Sequence, residues 1–188
     1  MIPPCHLFRL PTELRDHIYC FALVKDSPVS VRRQAFCEPG LLYASKQIRK
    51  EALPIYYKQN TFEVVVPAYD STALSRWMNK LTALWRSAQA QGEDFSEAPE
   101  TGLDASGVPN WGNLVEWLKS FYEDELMPGL VFEYLAVDAE ALTTEQYTVA
   151  LMFDMVDKVR DLGWKRVKEM VQPYRSLLRR ADNRWGQD

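Results

Sequence analysis

Residues 42–57 read LYASKQIRKEALPIYY, a run that indicates an amphipathic helical region, a short turn followed by a longer helix. Its apolar side chains recur at the three- and four-residue spacing that places them on one helix face. Ser45 is predicted to cap the helix, because a serine hydroxyl accepts a hydrogen bond from the first backbone N–H groups. Pro54 lies deep in the pattern and has no N–H to donate, so we expect a kink or a break there.

Shorter elements flank this helix on both sides. Pro11 suits a first helical turn and predicts a helix that ends near Leu23. Its apolar stripe at helical spacing consists of Leu14, Ile18, Phe21 and Ala22. The alternating residues 29–31 predict a short strand. The β-branched and aromatic residues 61–66 predict a second strand, which Pro67 stops.

The middle of the chain predicts further helices and one more strand. A helix is expected to start at residues 70–72 and to fade before Gly92. Residues 92–112 are interpreted as an acidic linker or mobile loop, which Trp111 should pin to the core. Asn113 is expected to cap the next helix. Residues 130–137 predict a strand that could pair with the one at 61–66.

Two long amphipathic helices are predicted to close the chain. Thr143 and Gln146 have the spacing of a capping box, so a helix should begin there and reach Leu162. The last helix begins at Trp164, and we expect Pro173 to interrupt it. The predicted fold class is therefore mainly α with a small β component (α+β), with two or three short strands and long C-terminal amphipathic helices.

Charge is distributed in blocks along the 188 residues, although the net charge is only −4. Residues 1–90 carry twelve Lys and Arg against seven Asp and Glu. Residues 91–146 carry thirteen acids against a single base, and residues 158–188 carry nine bases against four acids. An acidic middle thus lies between two basic ends, and we expect them to attract each other within one fold or between neighbouring copies.

Composition and motifs argue against several classes of function. The sequence has neither a phosphate-binding glycine motif nor a nucleophile elbow. Zinc is conceivable on Cys5, His6, His17, Cys20 and Cys37, but these residues lack zinc-motif spacing, so we expect no metal and no cofactor. No apolar run approaches the roughly 20 residues of a membrane helix. Three scattered cysteines suit a reducing compartment. The sequence predicts a non-enzymatic, intracellular protein of the cytoplasm or nucleus.

Two stretches carry a family resemblance. Residues 10–19 read LPTELRDHIY, and residues 42–57 are followed by Asn60-Thr61-Phe62. In order and type they resemble the F-box-like N-terminal domains of many filamentous-fungal proteins, with residues 24–41 as a variable insert. The resemblance covers about residues 8–66. It implies an adaptor or a complex subunit that binds another protein, such as a Skp-type adaptor of ubiquitin ligases. Its implied partner-binding residues are Leu10, Pro11, Leu14 and Ile18.

The same residues have structural roles that can be argued from their chemistry. Leu10 and Pro11 should fix how the chain leads into the first helix, and Leu14 and Ile18 can face either an adaptor or the second helix. Arg15 and Glu51 could pair and set the helix crossing. Asn60 can close the turn into the strand, since Asn tolerates left-handed conformations.

The remaining sequence matches no family that we can place. We divide the chain into an F-box-like part, residues 1–66, and a helical, Trp-rich part, residues 67–188, which we expect to pack as one domain. No substrate-binding repeat follows the F-box-like part. The basic C-terminal helices, with Arg179 and Arg180, suggest the alternative of a nucleic-acid-associated factor.

Overall fold

The computed structural model describes residues 6–34, 36–90, 98–123 and 142–186. It confirms a mainly α protein with a small β component. The helices of the described part are α1 (Thr12–Leu23), α2 (Lys46–Gln59), α3 (Thr72–Ala90), α4 (Trp111–Glu123), α5 (Thr144–Lys158) and α6 (Trp164–Ala181). None of these helices is long and apolar enough to cross a bilayer.

Three short parallel strands form a sheet in the order β1 (Val29–Val31), β2 (Phe62–Val65) and β3 (Thr101–Asp104). The backbone N–H of Phe62 donates to the Glu100 carbonyl at 2.8 Å, which fixes the register of β3 on β2. The interpretation of residues 92–112 as a linker or loop is therefore wrong at β3. The sequence of β3 has little apolar alternation, and its extended form comes from pairing with β2. The strand predicted at 130–137 lies outside the described residues.

The chain divides into two compact units. Unit 1 comprises Met1–Glu63 and Lys80–Gly102, and unit 2 comprises Val64–Asn79 and Leu103–Asp188. The first boundary falls close to the division at residue 66. Residues 80–102 belong with the N-terminal unit, so the chain passes between the units more than once.

No break occurs at Pro54, and the predicted interruption at Pro173 is wrong, because α2 and α6 each continue through their proline. A proline inside a helix removes one backbone hydrogen bond, and tertiary packing can compensate for that loss. Ala52 and Tyr56 are buried on either side of Pro54, and Val171 and Leu178 on either side of Pro173. Packing on both sides of each proline thus holds the helix together.

Helix caps decide where several helices begin. The Ser45 hydroxyl accepts from the backbone N–H of Ile48 at 3.1 Å, as predicted. Both hydrogen bonds of the capping box at the start of α5 are present. The expectation that Asn113 caps α4 is wrong, because the side chain of Asn110 accepts from the backbone N–H of Asn113 at 2.8 Å. Asn113 instead donates its side-chain amide to the Ala68 carbonyl.

Unit 2 is built on the helices α4, α5 and α6. Helix α5 packs against α4 and α6. It ends at Lys158 rather than at Leu162, because residues 159–162 form the turn that leads to Gly163, the N-cap of α6. The core of this unit is aromatic: the Trp117 and Phe153 rings lie 5.0 Å apart, and Phe121 and Phe153 lie 5.2 Å apart. Trp111, the residue expected to pin the preceding loop, is buried at the start of α4.

Candidate protein-binding face

One face of α1 presents apolar side chains to solvent. Leu14 is 48% exposed, Ile18 43% and Phe21 94%. At about 100° of rotation per residue, these three positions lie within roughly 60° of one another around the helix axis. We call these three residues the α1 face. Exposed apolar side chains that adjoin one another on a helix make a candidate protein-binding surface.

The opposite side of α1 packs against α2. Arg15 donates from Nε to Glu51 Oε2 at 2.9 Å and from Nη2 to Oε1 at 2.8 Å, which confirms the predicted ion pair. The hydroxyl of Tyr19 donates to the same carboxylate at 2.9 Å. Arg15, Tyr19 and Leu23 are the buried residues of α1. Of the two orientations left open for Leu14 and Ile18, the described structure has both side chains partly exposed, away from this buried side.

The chain leads into α1 through a fixed turn. Arg15 Nη1 donates to the Leu10 carbonyl at 2.7 Å, so the arginine that binds α2 also holds the residue before the helix. Pro11 is the N-cap and is itself exposed, with its carbonyl accepting from the backbone N–H groups of Leu14 and Arg15. Leu10 is half-buried. These contacts set the direction of α1 and therefore of its exposed face.

Asn60 closes the other end of the helix pair. Its buried side chain accepts from the backbone N–H of Lys25 at 2.9 Å. The same side chain donates to the carbonyls of Leu23 and Tyr56. The predicted role of Asn60 as the closing residue is confirmed, but the reason given for it is wrong. The φ of Asn60 is −104°, which is not in the left-handed region. Asn60 therefore closes the turn through its three side-chain hydrogen bonds.

A buried carboxylate cluster, which is not predicted from the sequence, supports α2 from the insert. Glu38 is 3% exposed and accepts from Arg49 at 2.8 Å and from the Tyr57 hydroxyl at 2.8 Å. Lys80 of α3 lies 3.1 Å from the same carboxylate. Its Nζ also lies 4.8 Å from the centre of the Phe36 ring. No short motif signals this cluster, because its members come from three separate parts of the chain.

The two carboxylates described above, Glu38 in the buried cluster and Glu51 beside Arg15, are held in their charged form. Burial raises the pKa of Glu38, but hydrogen bonds from Arg49, Tyr57 and Lys80 outweigh it and lower that pKa to about 2. The hydrogen bond from Arg15 is the main cause that lowers the pKa of Glu51 to about 2. Burial, and then the hydrogen bond to Glu51, raises the pKa of Tyr19 to about 12. The contacts that orient α1 therefore keep their charges across the neutral range.

These shifts predict how stability changes in acid. The folded-state pKa of Glu38 lies below its ordinary value of 4.5, so its contribution is complete above pH 4.5 and is lost as the pH falls toward 2. The loss is on the order of 3 kcal/mol. Urea unfolding between pH 7 and pH 2.5 would measure it. Between these two pH values, the free energy of unfolding should fall less steeply for Glu38→Gln than for the wild type. Parallel plots of the free energy of unfolding against pH for the two proteins would contradict the assignment of this loss to Glu38.

The remaining predicted site residues lie in unit 2. Arg179 and Arg180 are exposed near the end of α6, and Arg179 Nε donates to the Trp185 carbonyl at 3.5 Å. Within the described residues, no group of three or more His, Cys, Asp or Glu side chains could hold a metal ion. Cys20, one of the conceivable zinc ligands, donates from Sγ to the Gln59 side-chain oxygen at 3.5 Å.

The comparisons with known proteins give no relative to set beside this geometry. No family model matches the chain, and neither the curated proteins nor the solved structures contain a significant match.

Proposed function

We propose that this protein is a non-enzymatic interaction module, an F-box-like adaptor that binds a Skp-type protein through the α1 face. One observation carries the proposal: Leu14, Ile18 and Phe21 form an exposed apolar row on a helix whose other side is fixed by the Arg15–Glu51 ion pair. Such an adaptor would work in the cytoplasm or nucleus as a subunit of a larger complex.

The energetics of the α1 face favour a protein partner. Burying an exposed phenylalanine or leucine side chain contributes roughly 1.5–3 kcal/mol. Phe21 is almost fully exposed, so of the three side chains it can bury the most apolar surface against a partner. Binding energy tends to concentrate in a few central aromatic or aliphatic side chains with polar neighbours around them. Glu13 and His17, both exposed, supply such polar neighbours on α1.

The resemblance supports the same surface. Leu14 and Ile18 belong to the first F-box-like stretch, and Leu10 and Pro11 precede them. Phe21 lies two residues beyond that stretch, about one turn after Ile18, and extends the apolar row. The rigid approach of Leu10 and Pro11 into α1 reduces the conformational entropy lost on binding, which favours affinity.

The test is binding of the full chain to a purified fungal Skp-type adaptor, measured by isothermal titration calorimetry. We expect a 1:1 complex, and Phe21→Ala should weaken it at least about 30-fold, the effect of a 2 kcal/mol contact. The matched control is Trp85→Ala, since Trp85 is a half-exposed aromatic residue on α3. It should change affinity less than about 2-fold. No binding by the wild type would refute the Skp-type partner, and equal effects of the two variants would refute the α1 face.

A further inference from the structure

The last helix, α6, has a strongly basic outer surface. It contains six Lys and Arg residues and one acid, Glu169. Its buried line consists of Val167, Val171 and Leu178. These three residues hold the helix against the rest of unit 2, and most of the other side chains of α6 are exposed.

An apolar row with a base at each end runs along this outer surface. Met170, Pro173 and Leu177 are spaced by three and four residues and are all exposed, with Met170 at 38% and Leu177 at 49%. Arg166 precedes the row by one turn, and Arg180 follows it by three residues; both are exposed. At 1.5 Å per residue, the surface from Arg166 to Arg180 is about 21 Å long. We call these five residues the α6 row.

The two bases of the row differ from others on the same helix. Arg175 lies with its guanidinium 5.7 Å from the centre of the Trp111 ring, and Arg179 donates to the Trp185 carbonyl. By contrast, the guanidinium groups of Arg166 and Arg180 form neither an ion pair nor a hydrogen bond with any residue of the described part of the chain. Their charge is therefore available to a partner along with the apolar side chains between them.

We propose that the α6 row binds an acidic amphipathic helix of a partner protein. Leu-type side chains at i, i+3 and i+7 would pack on Met170, Pro173 and Leu177, as in helix-in-groove recognition. Carboxylates at the two ends would meet Arg166 and Arg180, so the charges fix position and direction. A nucleic acid fits less well, because its phosphates would use the two arginines while leaving the apolar row unburied.

The proposal goes beyond the proposed function and rests on a different unit of the protein. A suitable probe is a fluorescent helical peptide with Leu at i, i+3 and i+7 between two pairs of Glu. A scrambled peptide of the same composition and a 20-base-pair DNA duplex are compared with it. Fluorescence anisotropy at 50 mM salt should show the ordered peptide binding at least about 10-fold tighter than the scrambled one and tighter than the duplex.

Two pairs of substitutions in the full chain separate the two components of the row. Arg166→Glu with Arg180→Glu, and Met170→Ser with Leu177→Ser, should each weaken peptide binding at least about 10-fold. The control, Lys165→Glu with Lys168→Glu, makes the same change in net charge on exposed residues outside the row. It should weaken binding less than about 3-fold.

Each other outcome overturns the proposal. Tighter binding of the duplex, with sensitivity to every charge reversal and none to Met170→Ser with Leu177→Ser, would assign the surface to nucleic acid. Absence of peptide binding at 50 mM salt, or equal binding of the scrambled peptide, would remove the row as a helix-binding site. Phe21→Ala should leave peptide binding unchanged, so this test can succeed or fail independently of the α1 face.

Discussion

Replacing Glu38 with alanine is expected to lower the free energy of unfolding by about 3–5 kcal/mol, the range for breaking a buried ion pair. The substitution leaves Arg49 and Lys80 without the carboxylate that both contact. It also leaves the fully buried Tyr57 hydroxyl without the acceptor at 2.8 Å. Equilibrium unfolding in urea, followed by far-ultraviolet circular dichroism, measures the loss.

Two further variants divide this effect into its parts. Glu38→Gln keeps an acceptor for Tyr57 but removes the charge, so it should destabilise less than Glu38→Ala. Glu63→Gln is the matched control, because Glu63 is an exposed glutamate in the same unit and should stay within about 0.5 kcal/mol of the wild type. If Glu38→Ala were as stable as Glu63→Gln, the buried cluster would not support α2.

The features predicted correctly from the sequence are those fixed by near neighbours or by a specific pattern. Ser45 and the Thr143–Gln146 box act within one helical turn, so their spacing is sufficient to place them. The Arg15–Glu51 pair spans 36 residues, and it followed from setting two adjacent helical stretches side by side. Asn60 closes the turn into the strand as predicted, but through side-chain hydrogen bonds and with an extended backbone.

The errors arise where tertiary contacts decide the local structure. Residues 101–104 have the composition of a loop, but they form a strand because their backbone pairs with the edge of β2. Pro54 should interrupt a helix by itself, but buried residues on both sides keep α2 continuous. Glu38 has no sequence signal at all, since only the fold brings Arg49 and Lys80 to it. Apolar periodicity identified α1 as a helix, but it does not tell whether a stripe faces the core or a partner.

Replacing the whole α1 face by glutamine is expected to abolish binding of the Skp-type adaptor while leaving the fold intact. The variant combines Leu14→Gln, Ile18→Gln and Phe21→Gln. Affinity should fall by more than about 100-fold, because three apolar contacts are lost together and polar amides would be buried in their place. Glutamine is a good helix former, Phe21 is almost fully exposed, and Leu14 and Ile18 are about half exposed, so the free energy of unfolding should fall by no more than about 2 kcal/mol.

Measuring both the affinity and the free energy of unfolding of this variant distinguishes a face that binds a partner from one that packs within the protein. The control is Tyr147→Gln with Leu151→Gln, which changes two exposed apolar residues on α5 and should preserve both affinity and stability. Loss of stability in the α1 variant would mean that its apolar row packs within the protein itself. Retained affinity would mean that the partner binds elsewhere. An intact fold combined with lost binding is the result expected if the Arg15–Glu51 side holds α1 in place and its exposed side binds the partner.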